Sequence, residues 1–378
     1  MAGKNMTSIN DANSRFKKNK LNVGTFGTNA SGLAMTLAPE YKDLSWDNAA
    51  KAAQLADDGE FDAIVPFARW LGYVEANPAH RTGVVFDCYT WAAGMSQLTK
   101  KCGVFATSHV PTVHPLLAAK QAATIDHISN GRFGLNVVAG WNRPELEMFG
   151  APMREHDERY EQAAEWIDLV KRLWTSEEAF DFDGKFFKIT KGISLPHPLQ
   201  RPMPPIMAAG MSPRGQQFAA KYADIAYVIL ESTDVEENRA KVATYKKLAR
   251  EEFGRELQVW SYGYVVQRET TEAAEKFHHY YANEMGDEEA VDGFMKLQTM
   301  NAKLMSPDVM PRLRTRFKAG AGGLPFIGRA DNIAAKLADV SSAGLDGILL
   351  AWVDYADGLA CFNRDVLPLL KQQGLRAS

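Results

Sequence analysis

Eight short apolar runs alternate with helical patterns along this chain, and that alternation constrains the fold more than any other feature. The runs are Leu21–Phe26, Phe61–Ala68, Cys102–Val110, Arg132–Ala139, Pro205–Ala209, Ile225–Leu230, Gln258–Val266 and Gly347–Val353. Each is rich in β-branched or aromatic residues and apolar on both faces, as parallel strands covered on both sides require. Between them lie amphipathic helical stripes. One is Leu117, Ala118, Ala122, Ile125 and Ile128, stopped by Asn130-Gly131. Another is Ala163, Trp166, Ile167, Val170, Leu173 and Trp174. A third is Ile333, Leu337 and Val340, ended by Gly344. Eight βα steps in 378 residues, 46% of them hydrophobic, predict an α/β chain folded as a (β/α)8 TIM barrel. An open doubly wound sheet with a second domain is the other arrangement the pattern allows.

Two gaps exceed a simple crossover. Residues 141–204, after strand four, hold a long helix near 155–175 and a hairpin-like piece, Phe180–Phe187, with Asp183-Gly184 as its turn. Residues 267–346, after strand seven, read as mostly helical and carry a basic segment, Arg312–Arg316, before a glycine tract that looks flexible. Insertions after barrel strands lie on the catalytic face and serve as lids; a closing basic loop there could clamp an anion. The expectation is a single domain over 1–378, with residues 1–20 as a solvated lead-in.

Several classes lose support at this stage. The net charge is −3 with signs interspersed, so no nucleic-acid footprint appears. No apolar run is long enough to span a bilayer, and the N-terminus has no apolar signal region. Three scattered cysteines offer neither a disulfide framework nor a zinc site. A cytoplasmic protein with reduced thiols is expected. His109, His114 and His127 invite a metal or catalytic reading, but no carboxylate or cysteine shares a ligand spacing with them, so no metal is expected. No nucleophile elbow is present.

Three places carry possible chemistry. Asn136 interrupts an apolar strand, and a buried amide needs partners, either neighbouring backbone or a ligand. Ser212-Pro213 after strand five opens a helix as N-cap and first residue, which is plain capping or an anion site. Arg159-Tyr160 opens the long helix, as a surface ion pair or as a phosphate grip.

These stretches carry a resemblance. The run from Ala122 to Trp141, centred on Ile125-Asp126-His127-Ile128-Ser129-Asn130-Gly131-Arg132-Phe133-Gly134, with Glu155-His156-Asp157-Glu158-Arg159-Tyr160 and Ala209-Gly210-Met211-Ser212, resembles the bacterial-luciferase-like family of flavin-dependent monooxygenases. The resemblance implies a barrel with insertions after strands 4 and 7. It also implies FMN, used as FMNH2 supplied by a separate NAD(P)H-dependent flavin reductase, with O2 as co-substrate. The expected reaction oxygenates or cleaves a C–S, C–N or C–halogen bond of a small organic substrate through a flavin peroxide. A deazaflavin-dependent hydride transfer on the same fold is the alternative. By the same resemblance, Asn136 and Glu145 contact the flavin, and Arg159, Tyr160 and Ser212 hold its phosphate. Gly210 lets the phosphate approach the backbone, and Phe67 and Ala68 line the ring pocket. Ile64, Thr107, Asn136 and Trp141 form an oxygen pocket. The substrate would meet Trp70, Tyr73, Phe86, Tyr89 and Trp352, and the chain would form a homo-oligomer, a dimer or tetramer.

Overall fold

The computed structural model describes residues 14–299 and 310–377. Its strands are β1 (Asn22–Phe26), β2 (Ala63–Val65), β3 (Gly103–His109), β4 (Phe133–Val138), β5 (Phe180–Asp183), β6 (Lys188–Gly192), β7 (Ile206–Ala209), β8 (Ile225–Tyr227), β9 (Gln258–Gln267), β10 (Leu324–Gly328) and β11 (Gly347–Ala351). β1, β2, β3, β4, β7, β8, β9 and β11 pair in that order, all parallel, and β11 returns to β1. The sheet is a closed eight-stranded barrel, and its strands fall on the eight apolar runs.

Local signals set the helix between β3 and β4. It spans Pro115–Ile128, with His114 as N-cap and proline at the first turn. Asn130 and Gly131 then take positive φ (56° and 76°), which ends the helix and turns the chain into β4.

Register decides which side chains face the lumen. Phe105 pairs with Gly134, and Thr107 with Asn136. A Cβ on Gly134 would lie 2.5 Å from the Phe105 ring, and one on Gly347 2.4 Å from Trp260; both glycines are spaces for lumen aromatics. Phe16 fills the floor between them. Its ring centroid lies 6.0 Å from Phe105 and 5.3 Å from Trp260, and it is 2% exposed. The end of the expected solvated lead-in is therefore a plug. Lys17, Lys18 and Lys20 are exposed while the Phe16 ring is buried. Higher in the lumen, Phe26, Tyr227 and Tyr262 pack together at 5.4–5.9 Å.

The first insertion holds a short helix, Arg143–Met148, the long helix His156–Thr175 and the β5–β6 hairpin. The second is not all helix. β10 pairs in parallel with the upper half of β9, Leu324 with Gly263 through Gly328 with Gln267, beyond the point where β8 stops at Tyr227–Trp260. Pro325 disguises this strand in the sequence; proline is tolerated there because β10 is an edge. The basic segment is helical too, within Met310–Gly320, and its charges are engaged. Arg314 bonds Glu288 and Asp292, and Lys318 pairs with Glu288 at 2.5 Å. Arg316 donates to the carbonyls of Leu230, Gly322 and Gly323. Arg314 and Arg316 are thus struts of the insertion, not an open anion clamp, and the Arg312 side chain lies outside the described residues. The helix Glu288–Thr299 lies directly on the loop after β2, so close that a Cβ on Gly293 would sit 1.8 Å from the Tyr73 carbonyl oxygen.

Candidate active site

The carboxyl-terminal ends of β2, β3 and β4 meet at one polar cluster. Asn136 Nδ2 donates to Thr107 Oγ1 at 3.0 Å, and Thr107 donates to the Pro66 carbonyl at 2.5 Å. Both side chains are buried, and Asn136 Oδ1 has no partner among the described residues. An orphaned buried acceptor costs about 1–3 kcal/mol, so this oxygen is positioned for a donor the chain does not supply.

The chain after β2 is held from two sides. Asn29 accepts from the Phe67 N–H (3.1 Å) and donates to the Phe67 and Phe86 carbonyls (2.9 and 3.0 Å). Glu145, on the short helix after β4, accepts from the N–H groups of Trp70 (2.8 Å) and Leu71 (3.1 Å). Between these anchors the Arg69 guanidinium sits 4.3 Å from the centroids of both Phe67 and Tyr73 and donates to the Thr82 carbonyl. Glu145 Oε2 lies 3.8 Å from Nδ1 of His109, the last residue of β3. Burial pulls the His109 imidazole below its ordinary pKa; Glu145 opposes the shift and Arg69 adds to it.

A second cluster lies at the chain segments that follow β4 and β7. Ser212 caps the helix Pro213–Tyr222, its Oγ accepting from Gly215 N–H at 3.1 Å. Tyr160 lies against this turn so closely that a Cβ at Gly210 or Gly215 would fall 2.9 or 2.6 Å from its hydroxyl. Tyr245 donates to the Gly210 carbonyl at 3.0 Å. Arg159 donates to the Gly140 carbonyl, while its Nε is buried without a partner among the described residues. Burial draws the Arg159 guanidinium below its usual value, yet arginine stays cationic at neutral pH. A helix N-terminus, a hydroxyl pair and a half-satisfied guanidinium suit a phosphate. Asn136 Oδ1 and Arg159 Nε are thus two of the buried polar atoms that have no partner among the described residues.

A family model described as luciferase-like monooxygenase matches residues 22–347. The chain belongs to the luciferase-like monooxygenase family. It is 29% identical over 348 residues to the pyrimidine monooxygenase RutA of Escherichia coli (strain 536), covering 91% of this chain and 94% of that protein. Two solved structures share the fold. Riboflavin lyase RcaE, determined with modified FMN and riboflavin, superposes with a TM-score of 0.81 at 22% identity, over 95% of this chain and 93% of that one. DmoA of Hyphomicrobium sulfonivorans gives a TM-score of 0.81 at 23% identity, over 96% and 90%.

In this luciferase-like chain most of the residues singled out from sequence fall into two clusters, and the rest stand apart. Thr107 and Asn136 stand together in one cluster, beside the loop that carries Phe67 and Ala68. Arg159, Tyr160, Gly210 and Ser212 gather around the other. Glu145 is buried with one carboxylate oxygen bonded to the Trp70 and Leu71 N–H groups, so in this structure its visible work is to hold a loop. Two residues fall elsewhere. Ile64 shares register with Val104 and alternates with Ala63 and Val65, which places it on the helix-facing side, opposite Thr107 and Asn136; an oxygen pocket on the lumen face does not include it. Trp352 packs on Phe61, Phe362 and Tyr355. Trp141 packs against the cluster of Met35, Tyr73, Val74 and Phe294 beneath the second insertion. Sequence reasoning missed Asn29 and Arg69, whose partners lie in segments distant along the chain. Among the described residues no group of three or more His, Cys, Asp or Glu converges as metal ligands, and no helix is long and apolar enough to cross a membrane.

Proposed function

We propose that this chain is the oxygenase of a two-component system, taking FMNH2 from a separate NAD(P)H-dependent flavin reductase and O2 from solution to oxygenate a small organic molecule. It works in the cytoplasm as a homo-oligomer. The observation that carries the reading is a pair of buried polar atoms without a partner among the described residues, Asn136 Oδ1 at the end of β4 and Arg159 Nε beside the segment that follows it. Reduced FMN, when bound, supplies the two electrons that, with two protons, convert one oxygen atom of O2 to water while the other enters the substrate.

The protein's share is binding, orientation and exclusion of water. Ser212, Tyr160 and Arg159 take the phosphate, and the glycines at 210 and 215 allow the close approach. Asn136 is fixed by its bond to Thr107 so that Oδ1 accepts from a ring N–H. Glu145 and Asn29 set the loop that carries Phe67 and Ala68 against the ring. The second insertion, anchored on Tyr73 by the helix Glu288–Thr299, covers the mouth and keeps water from the reduced ring.

The test is a titration of anaerobic FMNH2 followed by exposure to O2 with a flavin reductase present. Saturable binding and reductase-dependent O2 uptake coupled to a substrate panel are expected. No association of FMNH2, or hydride transfer to reduced deazaflavin with no O2 uptake, overturns it.

A further inference from the structure

A single unspent cation stands in the wall of a small apolar cavity. The cavity, of about 130 Å³, is bounded by the ends of β2 and β3 and the start of the helix Cys88–Leu98, and Thr107 lines it. Val85, Phe86 and Val113 give it apolar walls. Trp70 and Phe149, 50% and 43% exposed, meet edge to face at 5.1 Å on its open side. A void of about 150 Å³ holds a benzene ring, so this one has room for no more than a single ring.

The cation is Arg69, half-buried in that wall. Its Nη1 donates to the Thr82 carbonyl at 2.9 Å and its Nη2 to the Tyr73 hydroxyl, both neutral acceptors. The rings of Phe67 and Tyr73, each 4.3 Å from the guanidinium, fix its plane. A guanidinium has five N–H groups; the other three have no acceptor, and no carboxylate pairs with this one, among the described residues. Glu145 is the nearby buried acid, but it does not line the cavity. Its Oε1 is bonded to the Trp70 and Leu71 N–H groups, and its Oε2 faces His109 at 3.8 Å. Asp87 does line the cavity, but it is exposed and caps the helix Cys88–Leu98, accepting from Thr90 N–H at 2.8 Å. His109, also in the wall, is held below its ordinary pKa by burial and adds no second cation. A neutral guest would leave Arg69 uncompensated, and a cationic one would be repelled. A carboxylate would accept charge-assisted bonds from its free N–H groups.

We propose that this cavity is the substrate subsite, that it takes a small carboxylate whose apolar body is no larger than one ring, and that Arg69 is the counter-ion that selects it. The body lies among Val85, Phe86, Val113 and Phe149, and the carboxylate lies against Arg69. The word substrate rests on the oxygenase reading; the binding preference does not.

The experiment is calorimetric titration of benzoate, and of its neutral isostere benzamide, into the wild-type protein and into Arg69→Met, Arg69→Lys and Val113→Phe, each with and without FMN. Wild type is expected to bind benzoate at least about tenfold more tightly than benzamide, the effect of one charge-assisted hydrogen bond. Arg69→Met keeps a long side chain without the charge. Benzoate is expected to weaken about tenfold or more and benzamide to stay within about threefold, so that the preference disappears. A merely structural role for Arg69 would weaken both ligands together. Arg69→Lys keeps the charge and is expected to retain a preference for benzoate of at least about threefold. Val113→Phe fills the void from the loop after β3, which carries neither partner of Arg69, and is expected to abolish binding of both ligands while FMN still binds. That variant and the wild-type preference decide the matter if Arg69→Met does not fold. The proposal is overturned if wild type shows no heat at about 10 mM benzoate, where a Kd near 1 mM would register. It is equally overturned if benzamide binds wild type as tightly as benzoate, if Arg69→Met keeps the preference or weakens both ligands alike, or if Val113→Phe binds benzoate as wild type does. FMN binding on the same samples keeps the two readings apart. Wild type that binds FMN but not benzoate sinks the subsite alone. FMN failing to bind wild type sinks the flavin reading, while the titrations without FMN still judge the subsite.

Discussion

Replacing Glu145 with alanine tests whether the loop after β2 is held by one buried carboxylate. Glu145 is 2% exposed, and its Oε1 accepts from Trp70 N–H at 2.8 Å and Leu71 N–H at 3.1 Å. A hydrogen bond to a charged acceptor contributes about 1.5–3 kcal/mol net, so two give a ceiling of about 6 kcal/mol. Trp70 is 50% exposed, and water reaches part of this loop once the carboxylate is gone. The expected cost of Glu145→Ala is therefore about 2–3 kcal/mol in urea unfolding. Glu145→Gln keeps a carbonyl in place of Oε1 and is expected to cost about 1 kcal/mol. Freeing this loop also frees Arg69 and, with it, the Phe67 wall, so FMN affinity should fall in the same order, alanine below glutamine below wild type. If Glu145→Ala unfolds within about 0.5 kcal/mol of wild type and binds FMN equally well, the carboxylate is not the anchor described.

Three other outcomes follow from the geometry. Arg159→Ala should weaken FMN about 10- to 100-fold in a fluorescence titration, the loss of one charge-assisted bond to phosphate, while riboflavin, which lacks the phosphate, binds the variant and wild type alike. Phe16→Ala empties the barrel floor between Phe105 and Trp260 and should cost about 3–5 kcal/mol in chemical denaturation with FMN affinity little changed; a cost below about 1 kcal/mol would show that the floor collapses to fill the space. His278 stacks on Tyr264 at 5.7 Å, and burial, with a smaller push from His279, pulls its pKa from 6.5 to about 4. The folded protein therefore binds this proton less readily than the unfolded chain, so its contribution is complete above about pH 6.5 and fades as pH falls toward about 4. His278→Gln should remove about 1–3 kcal/mol of that acid sensitivity, read from unfolding midpoints at about pH 7 and pH 4.5.

The barrel is legible because doubly covered parallel strands write themselves as apolar runs, and all eight do so. β10 is not, because its five residues include Pro325 and follow Gly322-Gly323, which read as a break; its partner, the top of β9, is more than fifty residues away. The cluster around Ser212 and Tyr160 is legible from Ser212-Pro213, a local capping signal, and from the motif around Arg159-Tyr160. The side of Asn136 is readable from its strand, but that of Ile64 is not, because a three-residue strand gives too little alternation to fix which way it faces. The Asn29 and Glu145 anchors join segments 38 and 75 residues apart, and no local pattern announces such pairs. Phe16 hides among charged neighbours, though only its ring has an apolar destination.

β9 belongs to two structures at once. Its lower half is a stave of the closed barrel, and its upper half carries β10 and with it the second insertion. The second insertion is thus grown from the wall rather than hinged to it. Descent can therefore exchange residues 268–323 wholesale, altering which guests are admitted, while the Asn136 hearth and the grip at Ser212 keep their coordinates.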